Sequence, residues 1–203
     1  LPADTIGAKA CGQFLHRYPN IKLSMVVDDP ATLTHRLISG AIDVMIVDER
    51  TIKDQSEFSF QPLRSQPAVA VARSEHPLAG VLNVGRESFI EYPLATISYL
   101  AEDIVAKALG VKPAEIFTYN CNSVSLLLKT LEHCDAIGFL LASHILPDVS
   151  AGKHVVIDFK GFNEKVRSKV GICTYLPRLN SLALDAFIAI VKEVDSEPVE
   201  PSN

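Results

Sequence analysis

The sequence has no excess of positive charge. Nineteen lysines and arginines stand against 24 acids, giving a net charge of −5 and a pI near 5.7. A domain that grips nucleic acid by itself is usually basic, so direct DNA contact by this chain is not expected. No apolar run reaches the roughly 18 residues needed to cross a bilayer, and no secretory signal is visible. The four cysteines, Cys11, Cys121, Cys134 and Cys173, form no CxxC pair, and no histidine joins them at zinc-finger spacing. Thiols without such a framework fit a reducing compartment. Cys11 and Cys173 fall in apolar stretches and read as small core residues, while Cys121 and Cys134 could form a redox pair. Nucleotide-binding glycine motifs, HExxH and a GxSxG elbow are also missing, as are short-period repeats and low-complexity segments. Neither a catalytic residue, a metal ligand nor a cofactor is therefore predicted.

What is present is a chain 48% hydrophobic and 21% charged, ordinary for a globular protein. It opens on Leu1, which predicts a fragment of something longer. Residues 3–17 carry Ile6, Ala10 and Phe14 at four-residue steps and predict an amphipathic helix ended by Tyr18-Pro19-Asn20. Residues 21–27 predict a strand. Asp29 is a good N-cap before Pro30, and Gly40 is placed to stop the helix carrying Leu33, Leu37 and Ile38. Residues 42–47, apolar apart from Asp43, predict a strand buried on both faces of a parallel sheet.

Extended stretches are predicted within 59–73, at 94–97, 117–119, 136–141, 155–159 and 166–173. Helices are predicted at 99–109, closed by Gly110, and at 123–132. Leu184, Phe187, Ile188 and Val191, at i, i+3, i+4 and i+7, predict a closing helix. The restart of the αβ pattern after His76-Pro77 predicts two lobes. Residues 1–74 and 155–194 form the first, 75–154 the second, and 195–203 a frayed tail.

Four stretches resemble, in order, the effector-binding domain of LysR-type transcriptional regulators. They are Phe14-Leu15-His16-Arg17-Tyr18-Pro19-Asn20-Ile21, the run from Leu37 through Gly40 and Asp43 to Ile46, Glu75-His76-Pro77-Leu78-Ala79, and Asn122-Ser123 followed by a Leu-rich helix and Ala136-Ile137-Gly138-Phe139-Leu140-Leu141. The resemblance implies an α/β fold of two Rossmann-like lobes joined by crossover strands, of the type 2 periplasmic-binding-protein kind. It also implies a small-molecule effector held between the lobes, and a cytoplasmic homodimer or tetramer that meets DNA only through a winged helix-turn-helix outside this chain. The rival reading is an exported solute-binding protein of the same fold.

Effector contacts are expected where strands hand over to helices, because helix starts offer unpaired N–H groups. That rule and the resemblance select Thr5, Asp29, Ser98, Tyr99, Asn122 and Ser123. Plain helix capping is the competing role for Asp29, Ser98 and Ser123. Asp28, Asp29, Asp48 and Glu49 predict an acidic rim, either solvated or suited to an amine or neutral polar ligand. A Ser98–His76–Asp103 triad is disfavoured, since His76 before Pro77 reads as part of the crossover.

Overall fold

The computed structural model describes residues 6–52, 56–97, 105–106, 109–110, 116–160, 162 and 166–197. They belong to two compact units, one built from the chain up to Ser65 and from Lys169 onward, the other from Gln66 to Ser168.

Unit 1 begins with α1 (Ile6–Arg17) and α2 (Pro30–Ser39). The α2 helix starts and stops as its sequence dictates. Asp29 accepts the Thr32 N–H at 2.9 Å, Pro30 occupies the first turn, and Gly40 ends the helix at φ 80°. Strands β1 (Met45–Asp48) and β2 (Phe58–Pro62) follow. The last strand and helix of the chain complete the unit, and they are numbered below, after the elements of unit 2.

In unit 2, β3 (Ala68–Arg73) leads to the short helix α3 (Arg86–Phe89) and then to β4 (Leu94–Ile97). Next come β5 (Tyr119–Cys121), α4 (Val124–Leu131) and β6 (Ile137–Leu141). The short helix α5 (Leu146–Ser150) and β7 (His154–Ile157) close the unit. The chain then returns to unit 1 with β8 (Val170–Tyr175) and α6 (Leu182–Ser196).

The unit 1 sheet has the order β1-β8-β2, with both pairs antiparallel and Ile46 opposite Ile172. Period-2 alternation sends Val170 and Ile172 to a core shared with Phe14 of α1 and with Phe187 and Val191 of α6. Met45, Val47 and Cys173 point the other way, to Leu37 of α2 and Phe58. The Phe14 and Phe187 rings meet edge to face at 5.5 Å. Two expectations are corrected here. The strand at 42–47 is shorter, alternates in burial and pairs antiparallel with β8 rather than in a parallel ladder. Residues 21–27, expected as a strand, form none and join no sheet among the described residues.

The unit 2 sheet has the order β5-β4-β6-β3-β7. Strands β5, β4 and β6 are mutually parallel, and β3 is antiparallel to both its neighbours. Ala68, Ala70 and Ala72 of β3 face a phenylalanine cluster, in which Phe89 stacks on Phe159 at 4.5 Å and Phe139 meets Phe162 at 5.2 Å. Val69 and Val71 face Leu127 and Leu131 of α4. Burying each such Leu or Phe is worth roughly 1.5–3 kcal/mol. Since β3 and β7 pair inside this sheet, residues 66–74 and 155–168 sit in unit 2, whereas the sequence reading placed 66–74 and 155–168 with the first lobe.

Candidate functional site

Three parallel strands end on the same edge of the unit 2 sheet. Their carboxyl ends are Ile97, Cys121 and Leu141, the last two handing the chain to helix starts, and an edge of this kind is where α/β sheets take ligands. After β5, Asn122 is exposed and Ser123 caps α4, its Oγ accepting the Leu126 N–H at 3.2 Å. Ser98 and Tyr99, which follow β4, lie outside the described residues, as do Thr5 and the Asp103 of the imagined triad.

Two residues on this edge were not selected from the sequence. Ala68 of β3 stands opposite Leu141 of β6, and the Ala142 N–H donates to the Pro67 carbonyl at 3.0 Å. Carrying that register one step further sets Gln66 against Ser143. Gln66 Oε1 and Ser143 Oγ are both buried and without a hydrogen-bond partner among the described residues. The Gln66 backbone is fixed on its other side, where its N–H donates to Ser168 Oγ at 2.9 Å and its carbonyl accepts the Ser168 N–H at 2.8 Å. A buried polar atom left unpaired costs about 1–3 kcal/mol, so two in one place mark a spot built for something else. Ser143 follows an apolar strand by two residues, the same signal that singles out Asn122 and Ser98. No long helix follows Ser143, and so the sequence rule passed over it.

In unit 1, Asp29 is fully engaged as a cap. One oxygen takes the Thr32 N–H and the other the Thr32 hydroxyl at 2.5 Å, and these bonds hold its carboxyl below the usual range. Most of the expected acidic rim is neutralised locally. Asp28 pairs with Arg36 at 3.2 Å and Glu49 with Lys169 at 3.7 Å, while Asp48 receives Arg50 Nη2 at 2.6 Å. That pairing removes the motive for a cationic ligand there.

His76 does not behave as a base. Its Nδ1 accepts the Leu78 N–H at 3.0 Å, and Nε2 lies 3.2 Å from the Asp135 carbonyl, so the proton sits on Nε2 and both nitrogens are occupied. Burial holds the ring below its ordinary pKa. Cys173 is inert, its thiol pushed up to about 11 by burial. No cluster of potential metal ligands occurs among the described residues.

An α/β sheet whose parallel strands deliver polar groups such as Asn122 and Ser123 to one edge has the arrangement of a small-molecule-binding domain. The chain belongs to the LysR substrate binding domain family, which matches residues 2–196. It is 24% identical over 199 residues to the SDS degradation transcriptional activation protein of Pseudomonas sp. (strain ATCC 19151), a match covering 96% of this chain and 64% of that protein. The chain thus spans just under two thirds of that relative's length. Its fold is similar to the regulatory domain of CcmR from Synechocystis PCC6803, solved in complex with 2-PG (TM-score 0.80, 18% identity, 96% of this chain and 93% of that one). It is also similar to the regulatory domain of MetR, a LysR family regulator from N. meningitidis (TM-score 0.67, 21% identity, 95% and 88%). These matches favour the regulator over the exported solute-binding protein, and no described helix is long and apolar enough to cross a membrane.

Proposed function

We propose that the chain senses a small, neutral polar effector at the carboxyl edge of the unit 2 sheet. Asn122 and Ser123 contact the effector together with Gln66 and Ser143, and Ser98 and Tyr99 join them at the end of β4. Thr5 and Asp29 are the corresponding candidates on unit 1. The domain works in the cytoplasm as a homodimer or tetramer, catalyses nothing, and influences DNA only through a winged helix-turn-helix outside this chain. The effector acts through its unequal affinity for two arrangements of the oligomer.

The observation that carries this reading is the pair of unpartnered oxygens, Gln66 Oε1 and Ser143 Oγ, on an edge that also bears Asn122. The test is a thermal-shift screen of metabolites on the purified domain, followed by calorimetry of the hits on Ser143→Ala. Removing Ser143 Oγ should weaken binding about five- to over a hundredfold, the equivalent of about 1–3 kcal/mol. Unchanged affinity would reject the site.

A further inference from the structure

The two unpartnered oxygens at the carboxyl edge of unit 2 differ in what they can exchange with a ligand. Gln66 Oε1 only accepts a hydrogen bond, whereas Ser143 Oγ accepts or donates. Both are buried, and they are not bonded to each other. The β3–β6 register sets their residues opposite one another, with Cβ atoms about 4.5–5.5 Å apart in such a pair. One oxygen atom with a hydrogen bond of about 2.8 Å on either side spans a gap of that order.

The same register shows what lies beneath the pair. Ala70, Phe139, Thr96 and Asn120 form one row across β3, β6, β4 and β5, so their side chains share a face of the sheet. Two residues nearer the carboxyl edge on that face stand Ala68, Leu141 and Asn122. Ala68 is fully buried and Leu141 half-buried against the phenylalanine cluster. An apolar floor therefore ends in a polar rim made of Gln66, Ser143 and Asn122, none of which carries a charge.

These features sort ligand groups by chemistry. A carboxylate or phosphate oxygen only accepts, and would leave Gln66 Oε1 buried and unpaired. An ammonium group donates to both oxygens but would be buried beside a rim that offers no counter-charge. A hydroxyl does both jobs at once, donating to Gln66 Oε1 and accepting from the Ser143 hydroxyl. We infer, on the basis of the carboxyl-edge site proposed above, that its effector is an uncharged alcohol. Its hydroxyl lies between Gln66 Oε1 and Ser143 Oγ, and its carbon skeleton runs over Leu141 towards Asn122.

The test uses three probes that share one carbon skeleton, propanol, propionate and propylammonium. Each is titrated at equal ionic strength into the isotope-labelled 203-residue chain, and the amide signals are followed. Propanol should move the Gln66 and Ser143 signals at a concentration at least about tenfold below either ionic probe. Ser143→Ala should narrow that margin, because the alcohol then loses one of its two partners. Gln66→Glu should reverse the order in favour of propylammonium, since a carboxylate now supplies the missing counter-charge. Propionate or propylammonium moving these signals in the parent chain as readily as propanol would overturn the alcohol assignment while leaving the site in place. If all three probes move other signals only, or none, up to the highest concentration the fold withstands, the site itself falls and the alcohol with it.

Discussion

Arg178 lies across Gly40. Its guanidinium donates to the Ile38 carbonyl at 3.3 Å, and a Cβ added to Gly40 would stand 2.6 Å from Nη2. Gly40 is itself left-handed at φ 80°, so any side chain there meets a strained backbone and an occupied space. Gly40→Ala should destabilise the domain by about 1–2 kcal/mol from the backbone alone, with more from the displaced arginine. Denaturant midpoints check this. Arg178→Ala in the same background should recover the steric part and leave the backbone part.

Asp48 ties the end of β1 to its neighbours. Its oxygens accept Arg50 Nε at 2.7 Å and the Lys169 N–H at 3.0 Å. Burial by itself would raise this carboxyl, but the bonds from Arg50 and Lys169 outweigh it and hold the group below its ordinary value. A depressed folded value means the stabilisation is complete above the unfolded pKa of about 3.9 and is lost as pH falls through the lower folded one. Asp48→Asn should cost about 1–2 kcal/mol at neutral pH, allowing for solvent screening. The variant should also show a shallower acid limb in stability against pH.

His76 predicts a second, milder acid sensitivity. The neutral ring is favoured in the folded state, chiefly through burial. Stability from this group is therefore full above the unfolded value of about 6.5 and declines as pH drops below it. His76→Gln should flatten the melting temperature between roughly pH 7 and 5. A slope identical to that of the parent would show that the ring does not titrate there.

Ser143 and Gln66 should separate stability from function. Their oxygens are unpaired and buried, so Ser143→Ala and Gln66→Met should leave the ligand-free melting temperature unchanged or slightly higher. Binding should weaken in both. Ser123→Ala should instead lower stability by about 1 kcal/mol, because that hydroxyl caps α4. Melting curves and calorimetry on the three variants give both readouts.

Local chemistry was the legible part of this fold. Asp29, Pro30 and Gly40 bound α2 because a cap, a first-turn proline and a left-handed glycine act within four residues. Ile137–Leu141 declares itself by unbroken apolarity, and Leu94–Ile97 by apolarity broken only at Thr96, as follows from a sheet covered on both faces. Pairing partners were not legible, since nothing within residues 42–47 says that β8, more than a hundred residues later, will run antiparallel to them. Residues 21–27 read as a strand by their apolar pattern, but a ladder needs a neighbour and they join no sheet among the described residues. The candidate site was half readable. Asn122 and Ser123 stand at a recognisable strand-to-helix junction, whereas only the β3–β6 register, carried past Ala68 and Leu141, sets Gln66 opposite Ser143.

The central claim is that an effector docks on the carboxyl edge of the unit 2 sheet, and amide chemical-shift mapping tests it most directly. The labelled 22.1 kDa domain would be titrated with each metabolite that raises its melting temperature. The largest shifts are expected at Gln66, Asn122, Ser123 and Ser143, saturating together at one dissociation constant. Shifts confined to other surfaces, such as residues 22–28 of unit 1, with those four amides unmoved at saturation, would contradict it.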